Sequence, residues 1–527
     1  MKKIIITDSV DKKCANILES AGFEVNYKPG LPKEEIVKII KDYNGMVVRS
    51  DTQVTPDLIN YMDNMEVIGR AGAGVDNINL EAATRKGIIV MNTPGGNTIS
   101  TAEHTMALMM SMCRNIAQSN QSLRGSKWER KKFSGTELWG KTLGIIGLGK
   151  IGREVAIRSK AFGMTIIGYD PVLSEEMASK IGVRLVDLDS IYKNSDIITV
   201  HVPLSEETRN LLSEETLLKC KDGVKLINCA RGGIINEEAL VKALDSGKVS
   251  AAALDVYSKE PPEFLSPLIQ HPKIVTTPHL GASTDEAQEK VAVQIAEQMV
   301  DLFNQKGVRG AVNAAAIESA GNAELVPYVK LAESLGILHS QLNKGQLKHI
   351  NINYSGELLH SSTTLLSTAV LKGFLSKKMT AGVNLINAPF LAKEMGVKIN
   401  ETKSGANSNY VNLMAVEFIT DKEKHSLAGT VFGNREIRMV DIDGFHLELN
   451  PEGNMLFYAN IDKPGMLAQV GKTLAEANIN IAGLSLGRVD IGKKAITVIN
   501  VDSEISKDVV KRISEIGGVT EVYAVKV

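Results

Sequence analysis

Leu143-Gly144-Ile145-Ile146 runs without a break into Gly147-Leu148-Gly149-Lys150-Ile151-Gly152, and a helical pattern then leads to Thr165-Ile166-Ile167-Gly168-Tyr169-Asp170. Strand, GxGxxG loop, helix and a second strand ending in an acid together make a dinucleotide-binding unit. Gly147 permits the tight turn, Gly149 lets backbone approach a pyrophosphate, and Gly152 packs helix against strand. The pyrophosphate is expected on the helix N-terminus, where unpaired N–H groups and the dipole favour negative charge. Asp170, 18 residues after Gly152, falls where a carboxylate accepts hydrogen bonds from ribose hydroxyls. A 2′-phosphate there would meet like charge, so NAD is expected over NADP.

Outward from this unit the chain keeps an α/β rhythm. Upstream, short apolar strands read at Lys3–Thr7, Met46–Arg49, Glu66–Gly69 and Ile88–Met91, separated by amphipathic stretches. A long helix is expected over about Ser100–Ile116. Strands follow at Ile197–Val202, Lys225–Cys229, Ala251–Val256 and Ile274–Thr277, and a second long helix over Ser283–Asn304. Two long helices flanking one nucleotide unit imply that the chain leaves its first domain, builds a second and returns. The expected fold is therefore two doubly wound Rossmann-like domains with a cleft between them, where ligands bind at strand carboxyl ends. The small, polar run 311–323 reads as a linker. Beyond it, 325–449 mixes strands and helices as an α+β domain, Asn450–Asn454 is a second break, and the remainder reads strand, helix, strand, strand, helix, strand. That βαββαβ order is ferredoxin-like. The expected divisions are 1–98 with 284–312, 99–283, 318–450 and 454–527.

A length of 527 residues fits three to four domains. Lys plus Arg (60) balances Asp plus Glu (61), so neither nucleic acid nor an anionic membrane is an expected partner. Cys14, Cys113, Cys220 and Cys229 share no metal-ligand spacing, so no metal is expected and buried thiols in a reducing cytoplasm are. Asp8 and Asp11 cut the first apolar run too early for a signal peptide, and no stretch approaches a membrane span.

Three segments after apolar strands carry chemistry: Asn228-Cys229-Ala230-Arg231-Gly232-Gly233, Leu254-Asp255-Val256-Tyr257 with Glu260, and Thr277-Pro278-His279-Leu280-Gly281. These types suit dehydrogenation of a 2-hydroxy acid. Hydride can leave C2 only if the hydroxyl proton leaves too, which needs a general base working near neutrality. His279 is the candidate. Glu260 would fix its tautomer and stabilise the imidazolium. Arg231 offers a planar fork for the substrate carboxylate and the forming carbonyl, and Asp255 could anchor the nicotinamide carboxamide. His104, His201 and His271 are read as structural.

Arg231, Glu260 and His279 behind GxGxxG and Asp170 resemble the D-isomer-specific 2-hydroxyacid dehydrogenase family. The supporting segments are Gly69–Asn77 (GRAGAGVDN), Asn92–Asn97 (NTPGGN) and Trp128–Phe133 (WERKKF). The C-terminal pieces resemble the intervening domain and ACT domain of that family's long phosphoglycerate-oxidising form. The resemblance implies oxidation of 3-phosphoglycerate to 3-phosphohydroxypyruvate with NAD, the entry to serine synthesis. It implies cofactor contacts from Gly147, Gly149, Lys150, Ile151, Gly152, Asp170, Cys229, Ala230, Arg231, Asp255, His279 and Gly281, and substrate contacts from Gly72, Ala73, Gly74 and Asn97. The phosphate needs a cation, for which Arg49 and the Arg130-Lys131-Lys132 loop are candidates. That loop could serve a neighbouring subunit, because the family dimerises through the nucleotide domain. An ACT domain implies an amino-acid effector between paired copies, at Asn460, Asp462 and Gly465 with Asn480 on the other side. Serine is the expected effector, although serine-inhibited members can carry histidine and asparagine where this chain has Asn460 and Asp462. Two rival readings remain open: a reductase of glyoxylate, hydroxypyruvate or a similar keto acid, and a non-enzymatic NADH-sensing scaffold on the same fold.

Overall fold

The computed structural model describes residues 1–314, 322–379, 382–405, 409–433 and 435–527, and four sheets organise them. Residues 315–321, the middle of the expected linker, and residue 318, an expected boundary, lie outside the described residues. The first sheet runs Glu24–Tyr27, Lys3–Ile6, Gly45–Val48, Val67–Arg70, Ile89–Met91, with every pairing parallel. Ile4, Ile5 and Ile6 are all fully buried, because helices cover both faces of a parallel sheet. Ile4 and Ile6 pack on one side and Ile5 on the other.

The second sheet runs Ile274–Thr276, Val249–Leu254, Val224–Asn228, Ile197–Val200, Thr142–Ile146, Thr165–Tyr169, Arg184–Leu185, again all parallel. Its strand order reverses between Thr142–Ile146 and Ile197–Val200, which opens a crevice above the Gly147 loop.

Two long helices tie the sheets together. Thr98–Arg114 buries Leu108, Met109 and Met112 against Leu143 and Ile145 of the second sheet. Asp285–Phe303 packs Val291, Ala292, Ile295, Ala296 and Met299 onto Ile4, Ile6, Val47 and Val67 of the first. The chain thus comes back to its first sheet, as the two flanking helices implied. The expected helix to Ile116 stops sooner, because Asn115 is left-handed (φ 51°), and a new helix spans Ile116–Arg124. The strand Glu24–Tyr27 was not expected, since it is an edge strand of only partly buried residues and carries no apolar run.

The third sheet runs Lys398–Ser404, Leu347–Ser355, Leu413–Thr420, Lys424–Phe432, Glu436–Ile442, Phe445–Leu449; its first pair is parallel and the others antiparallel. Helices Val326–Leu342 and Thr363–Ser376 contribute to its core through Leu331, Leu335, Val370 and Phe374. The fourth sheet runs Ile481–Arg488, Lys494–Val501, Asn454–Ile461, Val519–Lys526, fully antiparallel. Period-two alternation splits Asn454–Ile461 between two cores. Leu456 and Tyr458 pack with Val470, Leu474, Val509 and Ile513 of the two adjoining helices, whereas Met455, Phe457 and Ala459 join the core of the third sheet. No helix among the described residues is long and apolar enough to cross a membrane.

Candidate active site

The carboxyl ends of the first two sheets face each other, and side chains bridge the gap. Lys150, opening the helix after the glycine loop, donates from Nζ to the Pro94 carbonyl (3.2 Å). Arg231 donates from Nε to Oδ2 of Asp76 (2.8 Å). The arginine is held by its own turn: Asn228, ending a strand, accepts the Ala230 N–H on Oδ1 (3.0 Å) and donates Nδ2 to the Arg231 carbonyl (2.8 Å). Nη1 donates to the Ala230 carbonyl (2.6 Å), and Nη2 lies against Gly74, where a Cβ would collide with it. The Gly72-Ala73-Gly74 loop therefore meets Arg231 across the cleft.

Two further guanidinium groups share this region. Arg49 donates Nη1 to the Ser9 carbonyl (3.2 Å) and to Gln288 (3.4 Å). Arg70 donates Nε to Asn77 (3.2 Å) and lies over Gly72. Burial, with the like charges of Arg231 and Arg49, pulls the Arg70 guanidinium down to about 10, although Asp76 and Asp8 oppose this. A cation destabilised by its own neighbours is completed by an anion. Sequence reasoning missed Arg70 as a site residue and Asp76 as the partner of Arg231. Their place in the GRAGAGVD segment was the one available signal.

Beside the Arg231 turn, whose Gly232 packs against Tyr257 and Ser258, Nδ1 of His279 is 2.6 Å from Oε2 of Glu260, whose Oε1 accepts the Tyr257 N–H (3.0 Å). Partial burial opposes ionisation of Glu260, but the hydrogen bonds from His279 and Tyr257 outweigh it and hold the carboxyl below its usual range. A charged carboxylate only accepts, so Nδ1 carries the hydrogen and the neutral ring presents a bare Nε2.

The glycine loop fits a dinucleotide. The helix Lys150–Ala161 begins at Gly149 with no side-chain cap, and a Cβ on Gly149 would meet only open space. First-turn N–H groups left uncapped beside open space suit a pyrophosphate. Asp170 accepts the Val172 and Leu173 N–H groups on Oδ1 (2.9 and 3.0 Å) and the Leu148 N–H on Oδ2 (2.8 Å). Burial opposes its charge, yet these three N–H groups keep it ionised below the usual range. It thus tethers the loop as well as ending the strand. Gly147 is left-handed (φ 95°), Gly152 is buried in the helix, and Ile151 packs against the core of the second sheet. Asn97 begins the helix Thr98–Arg114 with no capping bond from its side chain.

Other expected contacts are placed differently. Asp255 has no exposed surface, and its oxygens accept from Thr277 Oγ1 (2.6 Å), Leu280 N (2.7 Å) and Gly281 N (2.8 Å), with His104 Nε2 at 3.1 Å. It does not reach the cleft surface to meet a carboxamide; it holds the His279 loop from beneath. The Gly281 N–H is consumed by that carboxylate. The Cys229 thiol faces the core, and burial pushes it up to about 12. Arg130 and Lys131 are exposed on a short 3-10 turn fastened near the far end of the helix Thr98–Arg114, where Thr136 N–H meets the Cys113 carbonyl (2.8 Å) and Asn115 meets the Ser134 carbonyl (3.3 Å). That is about 25 Å along the helix from Asn97, so they do not join their own chain's cleft.

In the last domain Asp462 is already paired with Arg488 Nη1 (3.0 Å). Asn460 is 4% exposed, donates to the Ile461 carbonyl (2.8 Å), and keeps a buried Oδ1 with no hydrogen-bond partner among the described residues. Gly465 is left-handed (φ 91°) and begins the helix Met466–Glu476. Asn480 bonds Asp502 (2.6 Å) at the opposite end of the edge strand from Arg488, about 26 Å away. One chain alone does not bring Asn480 to Asp462.

Comparison with known proteins agrees with this layout. Residues 106–281 match the D-isomer specific 2-hydroxyacid dehydrogenase, NAD binding domain; 324–443 match the D-3-phosphoglycerate dehydrogenase intervening domain; and 455–518 match the ACT domain. The chain is 42% identical to D-3-phosphoglycerate dehydrogenase of Methanocaldococcus jannaschii over 526 residues, covering 100% of both. It is 40% identical to that of Bacillus subtilis over 99% of both, and 47% identical to the human one over 77% of this chain and 76% of that. Among solved structures, apo D-lactate dehydrogenase from Escherichia coli is 28% identical with a TM-score of 0.54, over 59% of this chain and 100% of that one. D-lactate dehydrogenase from Aquifex aeolicus, complexed with NAD and lactic acid, is 26% identical with a TM-score of 0.51, over 58% and 96%. By these full-length likenesses, the chain belongs to the D-3-phosphoglycerate dehydrogenase family, within the D-isomer-specific 2-hydroxyacid dehydrogenases.

Proposed function

We propose that this chain oxidises 3-phosphoglycerate to 3-phosphohydroxypyruvate with NAD, the first step of serine synthesis. One observation carries the reading: a carboxylate-oriented imidazole and a cluster of three arginines share the cleft that holds an uncapped glycine loop. NAD held by the glycine loop would supply the acceptor for the hydrogen of C2 and its electron pair. The chain supplies the rest. Bare Nε2 of His279 accepts the hydroxyl proton, and Glu260 holds the imidazolium so formed. Arg231 fixes the carboxylate and polarises the C2 oxygen as it becomes a carbonyl. Arg49 and Arg70 offer fixed positive charge to the phosphate, with Gly72, Ala73, Gly74 and Asn97 shaping the wall. Gly147, Gly149, Lys150, Ile151, Gly152 and Asp170 would hold the cofactor, beside the Cys229–Arg231 turn.

The same reading includes a homo-oligomer in the cytoplasm. Trp128 and Trp139 are 78% and 76% exposed on the nucleotide-binding side, surfaces that a second copy would cover. Such a copy is also the route by which Arg130 and Lys131 would reach a phosphate. Pairing of last domains along the edge strand Ile481–Arg488, whose Ser485 hydroxyl already accepts the Glu448 N–H (3.0 Å) of the third sheet, would set one chain's Asn480 against another's Asp462–Arg488 pair, giving a serine site. The division at 1–98 with 284–312, 99–283, 318–450 and 454–527 belongs to this proposal too.

Mixing the protein with NAD and 3-phosphoglycerate and following absorbance at 340 nm tests it. Turnover with phosphoglycerate but not glycolate is the expected result. Preference for unphosphorylated acids would favour a simple keto-acid reductase, and no turnover with any hydroxy acid would leave only a scaffold.

A further inference from the structure

His279 stands in left-handed backbone (φ 54°), a conformation that is strained for a non-glycine residue and persists only where its surroundings impose it. The imposing group is Asp255. Its carbonyl accepts the His279 N–H (3.0 Å), and its carboxylate accepts the Thr277 hydroxyl and the Leu280 and Gly281 N–H groups. Every residue from Thr277 to Gly281 that can donate to it, side chain or backbone, thus converges on one fully buried acid.

The acid's remaining partner comes from elsewhere. His104, on the helix Thr98–Arg114, sets Nε2 3.1 Å from Asp255 Oδ1 and 3.2 Å from Thr277 Oγ1. The threonine hydroxyl already donates to Asp255, so Nε2 faces two acceptors and must carry hydrogen. One turn earlier on the helix, Thr101 donates Oγ1 to the Gly281 carbonyl (3.0 Å). The helix therefore grips the loop at two points. Its N-terminus is Asn97, about 10 Å from His104 along the axis, at the end of the loop that leaves the first sheet.

We infer that His104 is a positioning residue: through Asp255 it clamps the His279 loop to the interdomain helix, so that the alignment of the imidazole depends on this buried contact. The inference rests on the dehydrogenase reading above, but its test does not depend on turnover alone. In H104F, amide exchange at Leu280 and Gly281 should accelerate about tenfold, with NADH affinity changed less than twofold; kcat should fall about 10- to 100-fold at near-constant KM, the scale of a small misalignment. The isotope effect from deuterium at substrate C2 should rise, because a misaligned loop makes the chemical step limiting. H104Q, whose amide keeps a donor in reach, should restore both. If H104F does not fold, T101V must show the same exchange and isotope signature. Unchanged exchange at Leu280 and Gly281, or a lower kcat with an unchanged isotope effect, overturns the inference. A wild type that oxidises no hydroxy acid would defeat the functional reading instead, and amide exchange would still decide the clamp.

Discussion

Nδ1 of His279 and Oε2 of Glu260 are 2.6 Å apart, across 19 residues of chain, and the pair lies at the mouth of the cleft with the imidazole partly open to solvent. The relationship assigns the two ring nitrogens different jobs, one bound to the acid and one left for substrate. H279A should lower kcat by about 10²–10⁴-fold while NADH still binds. Throughput within twofold of wild type would remove the assignment.

Glu260 behaves differently under pH. Its folded value is depressed, so the Glu260 carboxylate is fully ionised above the ordinary carboxylate value of about 4.3, and its charge is lost only as pH falls through the lower folded value. Across assays from about pH 6 to 9 the acid stays ionised. E260Q should therefore be slower at every pH in that window, by about tenfold or more. A deficit that vanished at one end of the profile would show that Glu260 titrates within it.

Gly74 leaves room for Arg231. In G74A the new Cβ collides with Nη2, and a flexible guanidinium yields before backbone does. Substrate KM should rise about tenfold or more, since a charge-assisted contact is moved, while NADH affinity stays as it was. Equal losses in both affinities would mean that the loop itself had collapsed.

Asp170 tethers the Leu148 N–H, and its charge would also repel a 2′-phosphate. D170A should weaken NADH binding about tenfold and narrow the preference over NADPH. Fluorescence titration with both cofactors measures this, and an undiminished preference for NADH would place the discrimination elsewhere.

Much of this was legible because it is periodic. Parallel strands buried on both faces write continuous apolar runs such as Ile4–Ile6, and the glycine loop has fixed spacing. The candidate pair His279 and Glu260 was named because hydride chemistry demands a base and histidine suits it, and the fold brings the two side chains within 2.6 Å. What escaped were relationships that spacing does not encode. Arg70 and Arg231 are 161 positions apart and meet only when two sheets face each other. Asp255 read as a ligand-facing acid at a strand end, and only packing reveals that Thr277, Leu280 and Gly281 consume it. His104 reads as one more structural histidine, because nothing in a helical stretch announces an acid waiting on another strand. Asn480 matched a family position, yet the edge strand carries it away from Asp462 within a single chain.

The last domain gives the sharpest test of regulation. Its edge strand Ile481–Arg488 leaves Leu484 and Leu486 more than 40% exposed, with Asn480 at one end and the Asp462–Arg488 pair at the other. An antiparallel partner laid along this edge exchanges the ends, so each Asn480 meets the other chain's ion pair. A zwitterionic amino acid suits that place, its carboxylate toward Arg488 and its ammonium toward Asp462. Calorimetry with serine up to about 1 mM should therefore show binding in wild type and none in N480A, although Asn480 is far from Asp462 in its own chain. Mixing equal amounts of N480A and R488A chains should recover about a quarter of the sites only if the two residues act across the dimer, because random pairing leaves about half of the dimers mixed, and in each of these one site combines both defects while the other has neither. No recovery in the mixture, with binding intact in wild type, would put the serine site within one chain and discard the paired-edge arrangement.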